Sequence, residues 1–224
     1  MDRITKFPLL DETGQEIVSS LEEINNSMGD YIASNNPYYA YLEDRKIGTL
    51  LSTEITKVRD YGLYKRESLM AIDLPKCINV GKKAFEECTA LENVNLPECT
   101  DVGIYAFADC KKLQNVNIPK CTIIKDSTFQ YCNFKKIDLN FVEKIEAYAF
   151  WNCTALECVK ILNTETVCVL ANTNAFEGTL IASGNGYIYV PDELIEQYKT
   201  ATNWSAFANQ IKPLSEYVES EESK

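Results

Sequence analysis

The chain has 224 residues, with 33 acidic against 22 basic side chains and a net charge of −11. This length holds one long domain plus a small appendage, and the acidic balance, with no run of lysine and arginine to neutralise phosphates, argues against nucleic acid. There is no histidine, which removes Ser-His-Asp and Cys-His pairs, the common zinc hydrolase sites and the usual general base near neutral pH.

The first residues, Met1 to Pro8, lack the apolar run of a signal peptide, and nowhere do 18 apolar residues follow one another. The chain as given therefore reads as carrying neither an export signal nor a membrane span. From Gln15 to Ala33, Ile17, Leu21, Ile24, Met28 and Tyr31 recur at alternating intervals of four and three. That spacing predicts an amphipathic helix, which either shields the open edge of the next element or pairs with a second copy as a coiled-coil seam. Asn35-Asn36-Pro37 ends it, and Tyr38, Tyr39 and Tyr41 complete an N-terminal helix and linker over residues 1–52.

Six cysteines then stand at eleven-residue intervals, Cys77, Cys88, Cys99, Cys110, Cys121 and Cys132, and they mark a tandem repeat of 22 residues. One copy reads Cys77, Val80, Ala84-Phe85, Cys88, Leu91, Val94, Leu96-Pro97; the next reads Cys99, Val102, Ala106-Phe107, Cys110, Leu113, Val116, Ile118-Pro119. A third copy from Cys121 lacks one residue, a fourth starts at Val142, and Ile55, Val58, Leu63, Leu69, Ile72 and Leu74 fall into register upstream. A fixed period of this size marks a solenoid, in which each copy is one coil that buries its apolar face only against its neighbours. Leu91-x-x-Val94-x-Leu96-Pro97 alternates like a half-buried strand, so one strand per coil predicts a parallel sheet. Val80 marks a second short extended piece, and Ala84-Phe85-x-x-Cys88 predicts a single helical or 3₁₀ turn packed inward.

The solenoid of about six coils spans residues 53–190, its last copy degenerate around Ala175-Phe176 and Ile188-Tyr189-Val190. After Pro191, Asp192 is placed to cap a helix running to Tyr198, and with Trp204, Phe207 and Ile211 residues 191–213 read as a C-terminal cap. Residues 214–224, rich in serine and glutamate, read as a disordered acidic tail.

The Ala-Phe-x-x-Cys element followed by Leu-x-x-Val-x-Leu-Pro resembles the BspA-like branch of leucine-rich repeats, over about residues 53 to 213. The resemblance implies a β-rich α/β leucine-rich-repeat solenoid with short helical turns. It also implies a surface-binding or adhesive role, secreted or at the cell surface. The missing export signal departs from that habit.

Zinc sites need close cysteine pairs, and the nearest pair here is Cys153 and Cys158. The repeat instead stacks Cys77, Cys99 and Cys121 in one column, and Cys88, Cys110, Cys132 and Cys153 in another. Ile55 and Val142 continue the first column, a replacement that suits a small buried hydrophobe and not a metal ligand or redox pair. Cys158 and Cys168 lie outside both columns and are the expected reactive thiols. Among carboxylates, Asp73 and Asp138 share a face but lie three coils apart, roughly 14 Å at about 4.8 Å per coil, beyond the range that glycosidase pairs need. Gly184-Asn185-Gly186 is a turn and no phosphate-binding loop is present, so no catalytic residue, metal or cofactor is expected. The sequons at Asn25, Asn152 and Asn203 read as chance matches.

Strand positions that do not point inward stack into two outer ladders. One is Asp73, Asn95, Asn117, Asp138, Lys160 and Tyr189; its neighbour is Asn93, Asn115, Lys136, Cys158 and Tyr187. Such ladders form extended binding surfaces in solenoids, and amides, carboxylates and tyrosines suit a glycan or a polar protein surface. The same asparagines, as a solvated sheet face, would satisfy one another. Tyr105, Tyr131, Tyr148 and Trp151, flanking the Ala-Phe turns, form a second candidate patch. The expectation is a non-catalytic adhesion module that binds through the strand face. The alternative is a component of a phage or similar particle, assembled in the cytoplasm through the N-terminal helix.

Overall fold

A computed structural model describes residues 48–51 and 55–219, and the backbone of three short strands nearer the N-terminus. In chain order the strands are β1 (Arg3–Ile4), β2 (Leu9–Leu10), β3 (Glu16–Val18), β4 (Thr49–Leu51), β5 (Lys57–Val58), β6 (Ala71–Asp73), β7 (Asn79–Val80), β8 (Asn93–Asn95) and β9 (Asp101–Val102). They continue as β10 (Asn115–Asn117), β11 (Ile123–Ile124), β12 (Lys136–Leu139), β13 (Lys144–Ile145), β14 (Cys158–Ile161), β15 (Val169–Leu170), β16 (Tyr187–Val190) and β17 (Ile211–Pro213).

The coils stack as the period requires. Alternate strands form a main parallel sheet in two pieces, β1-β4-β6-β8-β10 and β12-β14-β16-β17. The strands between them form a second sheet, β5-β7-β9 and β11-β13-β15. The main sheet parts between β10 and β12, where Cys132-Asn133-Phe134 is one residue shorter than Cys110-Lys111-Lys112-Leu113. Phe134 fills the shortened corner, meeting Phe129 edge-on at 5.6 Å and Phe150 at 6.3 Å.

Inside the coils, Phe85, Phe107, Phe129, Phe150 and Phe176 stack face to face at 5.2–5.8 Å. Leu91, Leu113 and Leu156 from the strand approaches and the inward strand residues Ile72, Val94, Ile137, Val159 and Ile188 surround this spine, all buried. Burial of this continuous apolar column is the main force holding coil on coil.

The Ala-Phe segments differ from the expected helical turn. Ala106, Ala108 and Cys110 donate three residues back to Gly103, Tyr105 and Phe107. The intervening Tyr105, Phe107 and Asp109 N–H groups instead reach the carbonyls of Asp126, Thr128 and Gln130 on the next coil, at 2.8–3.2 Å. The same three-rung ladder joins Lys83, Phe85 and Glu87 to Ile104, Ala106 and Ala108. Left-handed backbone stands at the first and last rungs of each ladder, where Lys83, Glu87, Tyr105, Asp109, Ser127, Tyr131, Tyr148 and Asn152 all have φ of 53–60°. A helical turn would spend these donors within the coil and leave the junction without them. Of the described Ala-Phe segments, Thr173–Phe176 alone is a 3₁₀ helix.

At the N-terminal end, the helix expected from Gln15 is corrected over Glu16–Val18. These residues are strand β3, antiparallel to β2, with Leu9 opposite Val18. The adjacent β-branched Ile17 and Val18 favour extended backbone over helix. The seam positions Leu21, Ile24, Met28 and Tyr31 lie outside the described residues. No helix among the described residues is long and apolar enough to cross a membrane.

At the C-terminal end, Asp192–Leu194 is a 3₁₀ turn that leads into α1 (Ile195–Thr200). Asp192 does not cap this helix; its Oδ1 accepts from Ser215 N–H at 3.1 Å. Trp204 and Phe207 close the phenylalanine spine against Phe176 at 6.0 and 5.5 Å. Strand β17 then pairs in parallel with β16. Leu214–Glu216 forms a further 3₁₀ turn where the sequence suggested the start of a disordered tail.

Candidate binding surface

Both outward ladders of the main sheet form in the expected register within each piece. Asp73 stands opposite Asn95 and Asn95 opposite Asn117; Asn93 stands opposite Asn115. In the second piece Asp138 faces Lys160, which faces Tyr189, and Lys136 faces Cys158, which faces Tyr187. Asn117 and Asp138 are not paired, because the sheet parts between them.

The two halves of this face differ in chemistry. In the first, the Asn95 amide donates to Asp73 Oδ1 at 2.7 Å, Asn117 to Asn95 Oδ1 at 2.6 Å, and Asn115 to Asn93 Oδ1 at 2.8 Å. Each amide has two hydrogens and two acceptor sites, so one or two coil-to-coil bonds per amide orient the ladder and leave hydrogen-bonding capacity toward solvent.

The second half is cationic and aromatic. Lys160 Nζ pairs with Asp138 Oδ2 at 2.8 Å. Burial pulls the Lys160 ammonium down in pKa, but the hydrogen bond and charge of Asp138 outweigh it and hold the value above the ordinary lysine range. Tyr189, whose hydroxyl burial also pushes up, meets the Tyr217 ring edge-on at 5.0 Å, and Lys160 lies 4.5 Å from the centre of that ring. Lys212 stands 5.6 Å from the Tyr187 ring and 3.4 Å from Glu216, and Glu219 reaches Lys136 at 3.4 Å. The segment after β17 thus folds back over this half. Sequence reasoning missed it because serine and glutamate dominate the tail; the one signal was Tyr217-Val218, an apolar pair within that tract.

The second patch is only partly assembled. Trp151 meets Tyr131 at 5.0 Å and Tyr148 at 6.0 Å, both edge-on, whereas Tyr105 lies under Lys83 at 4.8 Å. A groove of about 740 Å³ on the second sheet, with no forerunner in the sequence reading, is lined by residues including Lys57, Arg59, Asp60, Lys82, Asp101 and Lys125. Asn79 Nδ2 and Lys125 Nζ both bond the Asp101 carboxylate there.

The cysteine columns are buried, and they differ. Cys77, Cys99 and Cys121 donate to the carbonyl two residues on, at 3.2–3.4 Å. Cys88, Cys110, Cys132 and Cys153 donate to Leu63, Phe85, Phe107 and Phe129 on the preceding coil, at 2.9–3.3 Å. Burial pushes the Cys88 and Cys153 thiols up to about 12. Cys168, expected to be reactive, is buried in the core and likewise pushed up to about 12. Cys158 is half-buried on β14, and burial pushes its thiol up to about 11. A thiol that stays protonated near neutral pH is a poor nucleophile, so neither has the activated character that reactivity needs.

A family model described as the BspA type leucine rich repeat region, in six copies, matches residues 45–120 and 78–198. A leucine-rich repeat protein of T. pallidum aligns at 19% identity and a TM-score of 0.42, over 65% of this chain and 59% of that one. A leucine-rich repeat protein from Bacteroides ovatus aligns at 21% and 0.48, over 67% and 45%. The pneumococcal vaccine antigen PcpA aligns at 15% and 0.46, over 76% and 41%. The chain spans less than two thirds of the length of each of these structures. No curated protein matches it.

Proposed function

The chain belongs to the BspA-type leucine-rich repeat family, and from that premise we propose that it is a non-catalytic adhesion module that recognises a protein or glycan at a cell surface through its strand face. The observation that carries this reading is the oriented amide ladder Asp73-Asn95-Asn117, whose rungs are fixed by one another at 2.6–2.7 Å and keep capacity for a polar ligand. Fixed donors and acceptors lose little freedom on binding, which favours affinity for a surface of hydroxyls or peptide groups.

The test is retention on a glycan array and on immobilised proteins extracted from epithelial and bacterial surfaces. Replacing Asn95→Arg and Asn117→Arg together should abolish retention while leaving the urea midpoint near that of the unaltered chain. Unchanged retention discards this face. The alternative, assembly onto a particle, depends on a helix from Gln15 and loses its first seam position, Ile17, to strand β3.

A further inference from the structure

The strand face divides at the break between β10 and β12, and among the described residues a segment of the chain lies over its second half alone. The cover is shallow. Val218 is 83% exposed and Glu219 70% exposed, so Tyr217 is the half-buried anchor of the segment. The Asp192 to Ser215 bond and the 3₁₀ turn at Leu214–Glu216 aim Tyr217 at the face. Its ring then fills the space between Tyr189 and the Lys160 ammonium, while Glu216 and Glu219 find Lys212 and Lys136 at the rim. One inserted ring with exposed ion pairs around it is a contact that exchanges readily with an equivalent from another molecule.

Charge supports the same conclusion. The chain is strongly acidic overall, yet this half of the face presents Lys136, Lys160 and Lys212 with two tyrosines, and the segment bound there is acidic with an aromatic anchor. In the first half the rungs Asp73, Asn93, Asn95, Asn115 and Asn117 carry no cation, and among the described residues no tail lies upon them.

We propose that the Lys136–Lys160–Tyr189 region is a docking site for an acidic polypeptide segment that carries an aromatic residue, and that the tail from Leu214 to Glu219 occupies it as an internal competitor. This rests on the strand-face reading above, and of its two ligand classes selects polypeptide for the second half. A partner engages by displacing Tyr217, and the Asn95–Asn117 half remains accessible whether or not the tail is seated.

The probe is a fluorescein-labelled peptide of residues 214–224, followed by anisotropy against the full chain and against the full chain carrying Tyr217→Ala and Glu219→Lys. The double variant changes only tail residues and opens the site. The peptide should bind it at least about ten-fold more tightly than the unaltered chain, and binding should weaken between low and high salt. It should fail when the peptide's own tyrosine is replaced by alanine, or when Lys160→Glu is added to the double variant. Equal binding to both chains, binding to neither at millimolar peptide, or undiminished binding of the alanine peptide overturns the proposal. The retention test at Asn95 and Asn117 is independent of the tail, so each reading can fail without the other.

Discussion

The Cys110 thiol donates to the Phe85 carbonyl one coil behind it, at 3.3 Å, whereas Cys99, eleven residues earlier, bonds the Asp101 carbonyl of its own coil. This separates two columns that look alike in sequence. The register of Cys99 admits Ile55 and Val142. The register of Cys110 runs from Arg66 through the four cysteines to Thr179, whose hydroxyl bonds Phe176 O at 2.6 Å, so every occupant carries a donor hydrogen. Cys99→Val should therefore shift stability by less than about 1 kcal/mol. Cys110→Val should cost about 0.5–1.5 kcal/mol more, the value of a buried donor's bond. Urea midpoints of the two variants decide it, and equal shifts would reduce the second column to packing.

Gly103 shows how closely the coils approach. A Cβ at this position would lie 2.5 Å from the Gly81 carbonyl carbon and the Lys82 nitrogen, backbone atoms that cannot move without parting the ladder. Gly103→Ala should cost about 1–3 kcal/mol or more through overpacking. At Gly184 an added Cβ meets only the Gln210 side chain, at 3.7 Å, and the cost comes from its φ of +83°, about 1–2 kcal/mol. Thermal unfolding of both variants should rank them in that order.

The cap depends on Tyr198. Its buried hydroxyl accepts from Cys168 N–H at 2.8 Å, while Trp204 Nε1 donates to Cys168 O. Tyr198→Phe leaves a buried amide without that acceptor and should cost about 1–3 kcal/mol, seen as faster hydrogen exchange at Cys168 before any loss of the central coils.

Alkaline pH should unfold the solenoid. An unfolded thiol titrates near pH 8.5, whereas Cys88 and Cys153 are pushed up to about 12. The folded chain therefore holds protons that the unfolded chain releases. The stability this gives is complete below about pH 8.5 and is lost as pH rises toward 12, at about 1.4 kcal/mol per pH unit for each such thiol. The urea midpoint should fall between pH 9 and 11, and thiol labelling at pH 8 should stay slow until the chain unfolds. Rapid labelling of Cys88 at pH 8 in the folded chain would contradict this.

Much of this molecule is legible from its period. Val94, Val116 and Ile137 face inward and Asn95, Asn117 and Asp138 outward because strand side chains alternate, and a 22-residue repeat fixes which residues become neighbours. The missing residue after Cys132 shortens one coil, and the main sheet parts beside it. The Ala-Phe turns were less legible. Tyr105 and Lys83 are not residues that composition assigns to left-handed backbone; they adopt it because the next coil's carbonyls are there to be met, a tertiary demand with no local signature. Tyr217 was missed for a related reason: its partners Lys160 and Tyr189 are distant in sequence and become one surface only after stacking. The seam from Ile17 failed at its start because local β propensity over Glu16–Val18 prevailed over a heptad pattern too short to impose helix.

The turn ladder is one-directional. Each coil passes its outward amides to the carbonyls of the coil that follows, from Tyr61 to Lys82 through Asn152 to Glu177, so the peptide dipoles of this edge add along the axis, in the manner of a helix. The two ends of such a stack are complementary to each other, and an unguarded chain would polymerise head to tail as an open filament. The 3₁₀ turn at Thr173–Phe176 terminates the series. Ala175 and Glu177 turn their N–H groups back to Asn172 and Asn174, while the Asn174 side chain substitutes for a carbonyl rung beneath Tyr148. The departure of the last repeat from its consensus thus ends the amide ladder within the chain, and restoring the consensus there would turn its alternate N–H groups outward again.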